Sequence, residues 1–123
     1  MRKTIPLVCF LFLLLSASHA VAAPLSRPEI KKGPTRVHVD IYILDIDEIN
    51  TANQSYDANV LFEVTWFDPR LKHKEEGSVR MSVENIWHPK LQIVNRQRIW
   101  TSLSHTVEVT PEGKVIYSQR VWG

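Results

Sequence analysis

The sequence predicts an all-β domain of the sandwich type, on three observations. Apolar residues recur at every second position over long stretches. No window sustains a helical period, and runs rich in proline, glycine and charge separate the alternating stretches. Val37, Val39, Ile41 and Ile43 alternate with His38, Asp40 and Tyr42, the pattern of a half-buried strand. Asp45 to Ser55 is polar and reads as a loop. Ala58, Val60, Phe62, Val64 and Trp66 then line one face of a second strand, with Asn59, Glu63 and Thr65 on the other. Pro69 has no N–H to give a ladder and ends that strand. Lys72 to Gly77 is a charged turn and Ser78 to Val83 a short third strand. Alternation breaks between Val94 and Arg98 and resumes at Ile99, Leu103, Val107 and Val109. Thr110-Pro111-Glu112-Gly113 places proline and glycine where a type I turn favours them. Val115, Tyr117, Gln119 and Val121 run back, completing a hairpin.

The amino end reads as an address. Arg2 and Lys3 precede an apolar stretch from Ile5 to Leu15, then small residues and an Ala20-Val21-Ala22 site, so 1–22 is expected to be a secretory signal peptide. The apolar run falls short of the roughly 20 residues a spanning helix needs. Cys9 lies inside it without the small residues that precede a lipid-attachment site. Pro24 to Pro34 reads as an exposed leader (23–36 in all), with a short helix around Ser26 to Lys32 as an alternative. Val115 to Trp122 reads as a strand and the sequence stops at Gly123 with no closing element, which is the expectation for a fragment.

Composition excludes several functions. Once Arg2 and Lys3 leave with the signal peptide, thirteen basic residues face thirteen acidic ones. No basic field suggests a nucleic-acid partner. The mature chain has no cysteine, so this exported domain is expected to hold together by packing alone. His38, His73, His88 and His105 are scattered without ligand spacing, so no metal and no other cofactor is expected. No catalytic Ser-His-Asp set, nucleophile elbow or phosphate loop stands out, and no enzyme is predicted. Asn53-Gln54-Ser55 fits a glycosylation sequon, relevant in a eukaryotic secretory pathway.

Two runs carry more. Trp66-Phe67-Asp68-Pro69-Arg70-Leu71 sets an indole beside a proline corner. Asp68 can close an Asx turn there, and Arg70 offers a planar fork for a carboxylate. Trp66 by itself reads as a core residue at a strand end. About twenty residues on, Ile86-Trp87-His88-Pro89-Lys90-Leu91 is followed by Asn95.

Together these runs resemble the amino-terminal half of the extracellular ligand-binding domain of pentameric ligand-gated ion channels. In that family a W-x-D-x-R-L run ends one strand and a W-x-P-acid run with a later asparagine forms part of the agonist pocket. The first run is similar to that of the glycine and GABA receptor branch. Overall the chain looks most like the cysteine-free prokaryotic branch, including its proton-gated members. The resemblance covers Val37 to Gly123 and implies an immunoglobulin-like β-sandwich, incomplete at its carboxyl end, with the membrane domain absent from this chain.

The resemblance also assigns roles. Trp66, Asp68, Pro69, Arg70, Trp87 and Pro89 would fix architecture. His88, Lys90, Val94 and Asn95 would supply the principal wall of the agonist site, and Leu61, Glu63, Tyr117 and Gln119 would face the neighbouring subunit. The loop carrying Asp47, Glu48, Asn50 and Gln54 would face the membrane domain and pass on agonist binding. Lys90 departs from the family's acid. Val94 and Leu61 stand where nicotinic members carry aromatics, which argues against an ammonium cage built on cation–π contacts. Gln54 stands at the sensor glutamate of proton-gated members and cannot titrate, although Asp45, Asp47, Glu48 and the histidines can respond to pH. The implied partners are identical or homologous subunits in a pentamer, a small-molecule agonist or protons, and a membrane reached through the missing carboxyl-terminal domain. The implied location is the periplasmic or extracellular face of the plasma membrane. A soluble pentameric ligand-binding protein similar to the acetylcholine-binding proteins is the alternative, and an exported β-sandwich hydrolase a third, disfavoured class.

Overall fold

A computed structural model describes residues 25–29 and 33–123. The signal peptide expected over 1–22 lies outside the described residues. Ser26 to Glu29 takes no helical turn, and 30–32 lie outside as well.

Six antiparallel strands form one sheet: β1 (Val37–Asn50), β2 (Ser55–Phe67), β3 (Val79–Ser82), β4 (Trp100–Thr101), β5 (Thr106–Val109) and β6 (Lys114–Trp122). Their lateral order is β1-β2-β6-β5-β3, with β4 also on β6. Short 3-10 turns occupy Pro69–Leu71 and Val83–Asn85. The all-β antiparallel class is as the sequence predicts. Among the described residues, all the strands belong to this one sheet.

The register fixes two faces, because side chains alternate along a strand. Val39 pairs with Val64, Ile41 with Phe62 and Ile43 with Val60. Across β6 these continue as Tyr117, Gln119 and Val121. That inner face carries the apolar positions of all three strands. Asp40, Glu63 and Ser118, then Tyr42, Leu61 and Arg120, form rows on the outer face.

The core occupies only one end of the inner face. Val64, Trp66 and Val115 meet Val107 and Val109 of β5, and Leu71, Val83 and Ile86 from the 3-10 segments close over them. Toward the other end Ile41 and Ile43 are exposed, so β1 is a strand as expected but not a half-buried one. The packing elements lie at the Trp66 end and leave this stretch open.

Two further expectations change. Asp45 to Asn50 is strand rather than loop: β1 continues to Asn50 and only 51–54 turns. Register shifts between Ile43 and Asp45 and between Ile46 and Glu48 break the two-residue period, so the strand's extension does not show in the hydrophobic pattern. The turn is closed by Asn50 Oδ1, which accepts from Asn53 N–H at 3.0 Å, and Gln54 takes a left-handed φ of 52°. The alternating stretch from Ile99 to Val109 is interrupted at 102–105. There the Gln119 amide stands in for a strand partner, accepting from Leu103 N–H at 3.1 Å and donating to Leu103 C=O at 3.3 Å.

The β5–β6 hairpin forms at the predicted turn, with Gly113 N–H donating to Thr110 C=O at 2.8 Å. Gly113 has φ +86°, and a Cβ there would lie 2.6 Å from the Asp68 carbonyl oxygen. Gly113→Ala is therefore expected to destabilise the domain by about 2 kcal/mol or more. In the core, Ile86→Ala should cost about 2–5 kcal/mol, against about 0.5 kcal/mol or less for Val94→Ala, whose side chain is 96% exposed. Urea denaturation of the three variants measures all three values.

Candidate functional site

The first tryptophan run builds a fixed corner. Asp68 is 1% exposed and caps the 3-10 turn, its Oδ1 accepting from Arg70 N–H at 3.0 Å. The Arg70 guanidinium turns back onto the same carboxylate, Nε to Oδ1 at 2.8 Å and Nη2 to Oδ2 at 2.7 Å. The carboxylate for which Arg70 offered its fork is thus the one two residues earlier. That hydrogen bond, with the Asp68 charge, raises the Arg70 pKa above its ordinary value despite the opposing effect of burial. Arg70 Nη2 also donates to Ser26 C=O at 2.8 Å, tying the leader to the corner, where Pro28 is fully buried. Asp68 N–H donates to Gly113 C=O at 2.9 Å, so the same corner anchors the β5–β6 turn.

The second run departs from that corner. Ile86 is buried, and the Trp87 ring meets Trp66 edge to face, centroids 6.3 Å apart and planes at 86°. The Trp66 indole Nε1 is buried without a hydrogen-bond partner. Beyond Trp87 the chain leaves the core. His88 and Pro89 are half-buried, whereas Lys90, Leu91, Val94 and Asn95 are exposed. Leu91 N–H donates to Pro89 C=O at 3.1 Å, and no regular strand forms again until Trp100.

Between this segment and the inner face lies a groove of about 640 Å³. Val39, Ile41, Phe62 and Val64 give it an apolar floor. His88, Lys90, Arg96, His105, Tyr117 and Gln119 supply the polar groups on its walls. Gln119 is 6% exposed and donates through Nε2 to the Tyr117 hydroxyl at 3.2 Å. That hydroxyl lies 3.3 Å from His105 Nδ1.

The residues expected at the ligand site therefore separate into groups. His88, Lys90, Tyr117 and Gln119 share the groove. Leu61 and Glu63 project from the outer face of the same sheet, with Leu61 opposite Arg120 and Glu63 opposite Ser118. Val94 and Asn95 stand out in solvent and do not line the groove. Asp47, Glu48 and Asn50 sit on the projecting end of β1 and Gln54 in its turn.

Sequence reading gave no place at the ligand site to Arg96, His105 or Arg120. The signal for Arg120 was present in the alternation of β6, which puts it on the face opposite Gln119. Arg120 Nε donates to Asn59 Oδ1 at 2.9 Å. Beside it Trp100 and Trp122 stack at 4.6 Å, half-exposed. Among the described residues no group of three or more His, Cys, Asp or Glu is placed to hold a metal ion, and no helix is long and apolar enough to cross a membrane.

Residues 18–122 match the family described as the neurotransmitter-gated ion-channel ligand binding domain. The chain is similar to the gamma-aminobutyric acid receptor subunit gamma-1 of Rattus norvegicus, 30% identical over 103 residues. The Homo sapiens gamma-1 subunit matches at the same identity, and the Gallus gallus gamma-4 subunit at 29%. These alignments cover 77% of this chain but 22% of each relative, so the chain spans about a fifth of their length.

The corner predicts its own energetics. Arg70→Ala leaves the buried Asp68 carboxylate without its fork and is expected to cost about 3 kcal/mol in urea denaturation. The double variant Asp68→Asn/Arg70→Ala is expected to regain part of that loss, because a neutral amide is less costly to leave there.

Proposed function

This chain belongs to the neurotransmitter-gated ion-channel ligand-binding domain family, and on that footing we propose that it is the amino-terminal part of a channel subunit that binds a small-molecule agonist at the contact between subunits. The single observation that carries the reading is the segment after Trp87. It is anchored by the half-buried Trp87 against the buried Trp66 and then presented to solvent at Lys90 to Gln92, Val94 and Asn95. A segment with a fixed root and an exposed, polar tip suits recognition at an interface.

In this reading Lys90 and Asn95 form the principal wall with His88 and Val94. Leu61 and Glu63 belong to the complementary wall on a neighbouring subunit, together with Arg120, which shares their face. Tyr117 and Gln119 serve the groove beneath the loop and hold its shape, as their hydrogen bonds to each other and to Leu103 suggest. The hairpin end carrying Asp47, Glu48, Asn50 and Gln54 extends past the last residue of β6 that pairs with β2, and is the element available to touch a membrane domain. Export by the signal peptide would place the domain on the outer side of the plasma or inner membrane.

Two experiments test the proposal. The coding sequence after Gly123 is expected to encode the rest of the sandwich and four apolar segments of about 20 residues each. A stop codon there, with a folded product, would refute the channel reading. In the assembled receptor, γ-aminobutyrate is a first probe because the gamma subunits above are named for it. If it or a related amino acid opens the channel, Lys90→Ala and Asn95→Ala should each raise the half-maximal concentration by roughly tenfold, or about 1.4 kcal/mol. Unchanged dose–response curves in both variants would remove this segment from the site.

A further inference from the structure

We propose that the outer face of the sheet, where β2 ends, carries a binding site for a phosphate monoester. Arg36, Lys72 and Lys114 would hold the oxyanion, and Phe67 would carry the apolar body of the ester. The site goes beyond the agonist reading. It lies on the face opposite the groove and at the end of the β1–β2 ladder away from the 51–54 turn.

The register brings the cations together. Phe67 pairs with Lys114, the first residue of β6. On the other side of β2, Trp66 pairs with Val37, so Arg36 just ahead of it continues the row beside Phe67. Directly opposed residues share a face, on strands roughly 4.8 Å apart. Arg36, Phe67 and Lys114 therefore form one row, with the ring flanked by a guanidinium and an ammonium group. From the loop after Leu71, Lys72 Nζ stands 5.6 Å from the centre of the same ring. The next row adds His38 beside Thr65. Arg36, His38, Thr65, Phe67 and Lys114 line a depression of about 500 Å³ whose lining includes no carboxylate.

The charge of this depression is not answered within the domain. Among the described residues the ion pairs are His38–Asp40, Arg70–Asp68 and Arg80–Glu108, so Arg36, Lys72 and Lys114 enter none. Asp40 and Glu63 stand one row further along the same face, and Asp40 is turned to His38 at 3.3 Å. They bound the site on that side. In the adjoining turn the Glu112 carboxylate is hydrogen-bonded with Thr110.

Three like charges around one ring repel one another, and a dianion relieves that repulsion. A phosphate monoester carries close to two charges and three acceptor oxygens, which suits donors arriving from two strands and a loop. Phe67 is 42% exposed in the middle of those donors. Its ring gives the row a reason to prefer an ester with an apolar body over the free inorganic ion.

The test uses the full-length product of the gene in isothermal titration calorimetry, at mildly alkaline pH and about 50 mM chloride. Phenyl phosphate is expected to bind with a Kd of roughly 0.1–1 mM, and inorganic phosphate and benzoate at least about threefold more weakly. Arg36→Gln and Lys114→Gln should each weaken phenyl phosphate at least roughly fivefold, whereas Lys114→Arg should stay within about twofold. Phe67→Thr should remove the preference for the phenyl ester and leave inorganic phosphate unchanged. Arg80→Gln, which alters a paired cation outside the depression, should change nothing. Circular dichroism checks folding, and if either glutamine variant fails to fold, Lys72→Gln carries the same expectation. No binding of phenyl phosphate below about 10 mM overturns the inference. So does binding that ignores the glutamine variants, or benzoate that binds as tightly as phenyl phosphate.

Discussion

The Asp68 carboxylate and the Arg70 fork that closes on it set the conditions for the rest of the domain. β2 is the strand shared by β1 and β6, and it must end cleanly where the chain turns away. Pro69 stops the ladder, but a proline alone leaves the direction of the following residues open. The buried carboxylate fixes that direction by accepting from Arg70 N–H and from the guanidinium at once. The backbone at Asp68 then holds the Gly113 carbonyl, and Arg70 holds Ser26. Three stretches distant in sequence converge on one ion pair, and the hydrophobic cluster assembles beside it.

That arrangement explains why stability and recognition occupy different parts of the molecule. Trp66 and Trp87 meet edge to face within or against the core, yet only the residues after Trp87 reach solvent. A buried root costs the exposed segment little freedom of sequence. Lys90, Leu91 and Val94 can change chemistry without disturbing Ile86 or Val107, because they lie outside the packed cluster.

Much of this was legible in the sequence, and the exceptions have physical causes. The strand character of 37–43, 58–66 and 115–121 follows from two-residue alternation, and the turn at 110–113 from its proline and glycine. Sequence could not reveal that β1 runs on to Asn50, since the two bulges put successive apolar residues out of phase. Alternation also names the inner face, because the apolar positions Val60, Phe62, Val64 and Trp66 share it with Val115 and Val121 of β6. The resemblance gathered Leu61, Glu63, Tyr117 and Gln119 onto one surface, but odd positions of β2 and odd positions of β6 lie on opposite faces in the observed register. The pairing of Phe62 with Gln119 shows it, and the apolar alternation of the two strands already pointed the same way. The Gln119 bonds to Leu103 were equally out of reach, since they depend on where β4 leaves the sheet.

The length of β1 has a mechanical meaning. Its ladder with β2 is continuous from Val37, beside the packed tryptophans, to Asn50 at the far turn, a span of roughly 45 Å at the usual rise per residue. A paired ribbon resists stretching and carries displacement along its length, but it yields where the ladder is irregular. The irregularities fall at Ile43–Asp45 and Ile46–Glu48, close to where the support of β6 ends. The hairpin is therefore a stiff arm with its compliance concentrated at one joint. By lever geometry, a small tilt at that joint would be a larger excursion at Gln54.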